Sequence, residues 1–145
     1  MIWIYLVIVL FVAIGIIKAS NRNKSATKET TYIAPTKIER NDFPQCKSET
    51  LVVVFTSTKC DSCGNIIDKA NVLSSDCVDV VNVSYEDKNG SKLQKKYEIE
   101  AVPTVVVCDE NGVVQQSYIG SVSATDLWAS VAKLRGADIA TCQDH

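Results

Sequence analysis

From Ile2 to Ile17 the chain reads IWIYLVIVLFVAIGII without a charged or strongly polar side chain, whereas from Thr50 onward apolar positions fall into short runs with strand or helix spacing. With Met1 the first block holds 17 residues. At about 1.5 Å per residue it reaches about 25 Å, the short end of what crosses a hydrocarbon layer of roughly 30 Å. Trp3 and Tyr5 sit near one end, where amphipathic rings favour the headgroup layer, and Lys18, Arg22, Lys24 and Lys28 follow the other. The block has no polar face to suit a surface helix. It also lacks the basic lead and the small-x-small site of a cleaved secretory signal. Residues 1–18 are therefore expected to form a transmembrane anchor, which makes the membrane the first expected partner.

Residues 19–48 are rich in Asn, Thr, Ser and Lys, carry Pro35 and Pro44, and hold only scattered apolar side chains. Such a composition predicts a flexible polar stalk, in which Thr31 to Ile33 either add a short edge strand or simply touch the domain. The folded unit is expected over 49–138, with 139–145 as a tail. Within it, Leu51 to Phe55 is a continuous apolar run of the kind buried on both faces of a parallel sheet. Ile66, Ala70 and Leu73 then follow i, i+4, i+7 spacing along one face of a helix. Val78, Val80, Val81 and Val83 predict a second strand, parallel to the first through a right-handed crossover.

Ser91-Lys92-Leu93-Gln94 has the form of a capping box, and Leu93 with Tyr97 gives a short helix a small apolar face. Thr104–Cys108 and Val113–Ile119 flank Asp109-Glu110-Asn111-Gly112, whose Asn-Gly step predicts an antiparallel hairpin. Ser123 to Asp126 caps a last helix that buries Leu127, Val131 and Leu134 and ends near Gly136. The order is βαβαββα, an α/β fold.

At 145 residues the chain has room for one ordinary domain. Its net charge of −2 excludes a general nucleic-acid binder. Charge is nevertheless uneven. Residues 18–40 carry six Lys or Arg against two Glu, a local +4, and residues 41–145 carry nine against fifteen, a net −6. Because cytoplasmic flanks hold the Lys/Arg excess, a single-pass membrane protein with its domain on the cytoplasmic face is expected. The extracytoplasmic face becomes the alternative if further cysteines are bridged.

The sharpest chemical feature is Cys60-Asp61-Ser62-Cys63, placed where a buried strand gives way to a helix. Three-residue spacing at a helix start can hold two sulfurs at disulfide distance, so the motif reads as a redox pair. The positive end of the helix dipole favours a thiolate at Cys60, and only a thiolate attacks a disulfide. Cys60 is thus expected to be the nucleophile. Lys59 favours its ionised form and Asp61 opposes it. Zinc is not expected, because no second ligand pair stands at a suitable spacing and His145 is the only histidine. Cys77 and Cys108, at strand ends, read as small buried hydrophobes, and a Cys46–Cys142 bridge is disfavoured.

Phe55, Cys60-x-x-Cys63, Val102-Pro103-Thr104, the Asn111-Gly112 hairpin and Gly120 together make residues 50–136 resemble the thioredoxin family, and the whole chain a membrane-tethered thioredoxin-like protein of bacterial type. The resemblance implies a mixed four-stranded sheet flanked by helices and thiol–disulfide exchange on protein substrates. It also implies Cys63 as resolving thiol, an electron-donating reductase as partner, no bound cofactor, and a cis bond at Val102–Pro103 whose backbone edge pairs with an extended substrate. The chain departs from the family in three places. Lys59 stands where an aromatic residue often precedes the first cysteine, Asp61-Ser62 replaces Gly-Pro, and Val54 takes the place of a buried acid that helps the second thiol lose its proton. Two other readings remain open: a tethered reductase or oxidase acting outside on exported or haem-attachment cysteines, and a non-catalytic peptide-binding module.

Overall fold

The computed structural model describes Trp3 and residues 32–136. Its elements run β1 (Thr50–Thr56), α1 (Cys63–Asn71), β2 (Val78–Ser84), α2 (Lys88–Lys96), β3 (Thr104–Cys108), β4 (Val114–Ile119) and α3 (Ala124–Gly136). Apart from Trp3, the expected anchor, the stalk up to Thr31 and the tail lie outside the described residues. Among the described residues no helix is long and apolar enough to cross a membrane.

The four strands form one sheet in the order β2-β1-β3-β4. β1 runs parallel to β2 and antiparallel to β3, and β3 and β4 close the hairpin. As a central strand, β1 buries every residue from Thr50 to Thr56. Its alternate side chains feed two cores, as period-2 geometry requires. Val52 and Val54 pack with Ile66, Ala70, Leu127 and Val131 of α1 and α3. Leu51, Val53 and Phe55 pack with Val106, Tyr97, Ile38 and Phe43 on the opposite face.

That second face corrects the expected stalk boundary. Ile38 is 0% exposed and Phe43 2%. Lys37 bridges Val113, the Ile38 amide donates to Gly112 O at 2.7 Å, and the Val114 amide to Thr36 O at 2.9 Å. At the other end the Ser48 amide donates to Asp79 Oδ2 at 2.8 Å. The packed domain therefore takes in residues 34–48, upstream of its expected start at residue 49. The physical reason is coverage: α2 is only nine residues long, and the irregular segment 32–48 closes the rest of the sheet. Tyr32 and Ile33 form no strand, and Tyr32 is half-buried. Where segment and helix meet, the Tyr97 hydroxyl donates to Asp42 and accepts from the Glu39 amide at 2.9 Å, and Lys96 Nζ reaches the same carboxylate at 2.6 Å. Burial works against the Asp42 charge, but Lys96 and Tyr97 outweigh it and hold the carboxyl below its usual range.

The capping box is the other correction. α2 starts at Lys88, so Ser91 and Gln94 lie inside it. Gln94 is buried, and its amide nitrogen donates to Thr56 O and to Val83 O at 2.8 Å each. It ties the ends of β1 and β2 to the helix instead of capping it. α2 can approach this closely because of Gly90, where a Cβ would lie 1.9 Å from Ser84 O. Glycine to alanine in a helix interior ordinarily adds about 1 kcal/mol of stability. At this position the sign reverses: Gly90→Ala is expected to lose about 1–3 kcal/mol by overpacking, read as a lower urea midpoint at unchanged slope. The capping expected of the last helix is present, the Ser123 hydroxyl accepting from the Asp126 amide at 3.0 Å.

Candidate active site

The end of β1 hands the chain to a tight loop in which the Cys60 amide donates to Ser57 O at 3.1 Å and the Cys63 amide to Cys60 O at 3.2 Å. Cys60 and Cys63 are joined in a disulfide with their Cα atoms 5.4 Å apart. Cys63 opens α1 and is 3% exposed. Cys60 is half-exposed ahead of the helix, and Lys59, Asp61 and Ser62 are open to solvent. The Cys60 sulfur lies 3.7 Å from the Ser62 hydroxyl. The more accessible sulfur thus sits just ahead of the N-terminus of α1, where the positive end of the helix dipole favours a thiolate.

The register brings a second loop to the same end of the sheet. Phe55 of β1 pairs with Thr104 of β3, so the chain leaving Phe55 toward Cys60 and the chain entering Thr104 from Pro103 are neighbours. The Val102–Pro103 bond is cis. Pro103 is buried and Val102 half-buried, and Pro103 O accepts from the Gly120 amide at 2.7 Å. All six residues singled out in the sequence thus gather at one end of the sheet, Lys59, Cys60 and Asp61 on the loop after β1, Cys63 in the first turn of α1, and Val102 and Pro103 on the adjoining loop before β3. Val54, which the resemblance sets in the place of a buried acid, is a fully buried core residue.

One residue of this end carries no sequence signal. Glu86, in the turn after β2, accepts from the Ser57 hydroxyl at 2.7 Å, the Thr58 amide at 3.0 Å and the Ser84 hydroxyl at 2.8 Å. The first two of these donors do most to lower its pKa from 4.5 to about 2. The carboxylate thus fastens the loop that leads into Cys60. Because its pKa is lowered in the fold, its contribution is complete above pH 4.5 and is lost as the pH falls toward about 2. Hydrogen exchange is expected to show the Thr58 amide protected well below pH 4.5 in the wild type. In Glu86→Gln, whose single amide oxygen cannot serve three donors, protection drops at every pH. Loss centred at the ordinary glutamate value would refute the tether.

The other cysteines divide. Cys108 is fully buried and Cys46 half-buried, and both are free thiols. Burial pushes the Cys108 thiol up to about 12 and raises Cys46 as well. Cys108 thus has the expected role of a small hydrophobe, its sulfur 3.4 Å from Leu51 O. Cys77 does not, being half-buried and disulfide-bonded.

Comparison with known proteins meets this geometry. A family profile described as thioredoxin matches residues 35–133. Among solved structures, oxidised thioredoxin O2 from Arabidopsis thaliana aligns with a TM-score of 0.55 at 23% identity, over 66% of this chain and 84% of that one. Thioredoxin-2 of the malaria parasite aligns with a TM-score of 0.52 at 21% identity, over 61% and 85%. Oxidised mitochondrial thioredoxin 3 from Saccharomyces cerevisiae gives 0.50 at 23%, over 61% and 81%. No curated protein matches significantly. At such identities the structures speak for the fold, while the profile covers most of the chain together with the Cys60–Cys63 pair. The chain belongs to the thioredoxin family and is a thiol–disulfide oxidoreductase.

Proposed function

We propose that this chain is a membrane-anchored protein disulfide reductase in which Cys60 is the nucleophile and Cys63 the resolving thiol. The observation that carries the reading is the unequal burial of the pair, with Cys60 reachable at the sheet end and Cys63 sealed in the first turn of α1. In the reduced protein the Cys60 thiolate attacks a substrate disulfide, forming a mixed disulfide and releasing one substrate thiolate. Cys63, losing its proton, attacks the Cys60 sulfur, closing the intramolecular disulfide and releasing the second substrate thiol. Two electrons pass to the substrate, and a dithiol reductase partner restores the pair. Val102 and Pro103 supply the backbone edge that pairs with the extended substrate, and Lys59 and Asp61 tune the nucleophile with opposite signs. No carboxylate stands at Val54, so the proton of Cys63 leaves to water, to Asp61 or to the departing substrate sulfur.

The apolar block at 2–17 supports the anchor, and the basic residues that follow it support a domain on the cytoplasmic face. A second reading places the domain on the other face, favoured by Cys77, which is disulfide-bonded away from the redox pair as befits an oxidising compartment. Expressing Cys63→Ser in cells tests the chemistry, since a reductase accumulates a thiol-sensitive adduct through Cys60. Membrane-impermeant thiol labelling of the same cells settles the face. A chain recovered wholly in the soluble fraction would remove the anchor.

A further inference from the structure

Beside the redox pair lies a cavity of about 320 Å³, walled by Lys59 next to Cys60, by Val102 next to Pro103, and between them by Tyr85, Glu86, Gln94, Ile99 and Glu100. We propose that this cavity is a specificity subsite that receives a lysine or arginine side chain of the substrate polypeptide, close in sequence to the cysteine under attack. The inference rests on the reductase reading and adds a substrate class to it.

Its walls divide by chemistry. Ile99 and Val102 offer half-buried apolar surface of the kind on which the methylene stem of a long cationic side chain packs while its head stays polar. The head then meets acceptors. Glu86 is held by three neutral donors, Ser57 Oγ, Thr58 N and Ser84 Oγ, so its position is fixed but no cation offsets its charge. Glu100 stands on the facing loop, exposed. Among the described residues no ion pair engages either carboxylate. Gln94 points independently to a donor. It is 4% exposed, its amide nitrogen is spent on Thr56 O and Val83 O, and among the described residues none donates to its oxygen. An acceptor that meets no donor among the described residues and is not sealed from solvent can take one from the occupant of the cavity it lines. Tyr85, 48% exposed, adds an aromatic ring to the rim of the kind that attracts a cation. Lys59 opposes, one ammonium against two carboxylates, so the cavity keeps a net negative rim.

The test uses the full chain in detergent and matched disulfide peptides carrying lysine, norleucine or glutamate two residues from the cysteine. The lysine peptide is expected to exchange with a kcat/KM about five- to tenfold above norleucine, the size of one charge-assisted contact near a surface, with glutamate below both. In Glu100→Gln the lysine-to-norleucine ratio falls toward one, in Glu100→Lys it inverts, and in Lys59→Ala it grows. Equal rates for lysine and norleucine in the wild type overturn the subsite while leaving the reductase standing. The same peptides with serine in place of cysteine cannot exchange. Their binding, followed by fluorescence anisotropy at low and high salt, reads the cavity even where no exchange occurs: a salt-sensitive lysine preference supports the inference, and its absence sinks it.

Discussion

The full chain carrying Cys60→Ser is expected to reduce insulin-type protein disulfides at least about a thousandfold more slowly than the wild type, because among the described residues Cys60 is the one half-exposed sulfur at the redox loop. Cys63 is sealed at 3% exposure, and Cys108, pushed up to about 12 by burial, is protonated at neutral pH and held in the core. Cys63→Ser fails differently. Its first step proceeds, so one equivalent of substrate is captured as a mixed disulfide and turnover stops there. A stopped assay resolved by mass spectrometry separates the two: no adduct with Cys60→Ser, one per chain with Cys63→Ser. Wild-type turnover that survives Cys60→Ser would assign the reduction to another group and leave the fold as a peptide-binding platform.

That pair is legible in the sequence because its meaning is local. A Cys-x-x-Cys that follows a buried strand and precedes helical spacing has few arrangements open to it, and the register of β1 with β3 then fixes Pro103 beside it. The sheet was legible for a similar reason, since Leu51 to Phe55 supplies both cores through simple alternation. Glu86 has no such signature, as its three donors come from two separate stretches of chain. Gln94 misled because its spacing from Ser91 imitates a cap, whereas the helix had already begun at Lys88 and the amide serves strand ends far away in sequence. Segment 32–48 misled most. Ala34, Ile38 and Phe43 follow neither the period of a strand nor that of a helix, and the polar residues and prolines around them describe a tether.

Phe43→Ala measures how far that tether is part of the domain. Phe43 is 2% exposed and packs in the same cluster as Phe55, Tyr97 and Val106, on the face of β1 that segment 32–48 shares with the short α2. Truncating a buried phenylalanine costs about 3–5 kcal/mol, a large part of the roughly 5–15 kcal/mol that holds a domain together. Denaturant unfolding of Phe43→Ala is therefore expected to shift by that amount, and Ile38→Ala by about 2–5 kcal/mol. Ile33→Ala, at a side chain 80% exposed, stays within about 0.5 kcal/mol. A true stalk would leave all three alike. The redox loop feels the same change at a distance, because Phe55, which shares its cluster with Phe43, is the β1 residue that pairs with Thr104. Loosening that cluster loosens the geometry between Cys60 and Pro103. Phe43→Ala is thus expected to lower kcat/KM for protein disulfides more than it lowers reaction with a small dithiol, which needs no backbone edge to dock against.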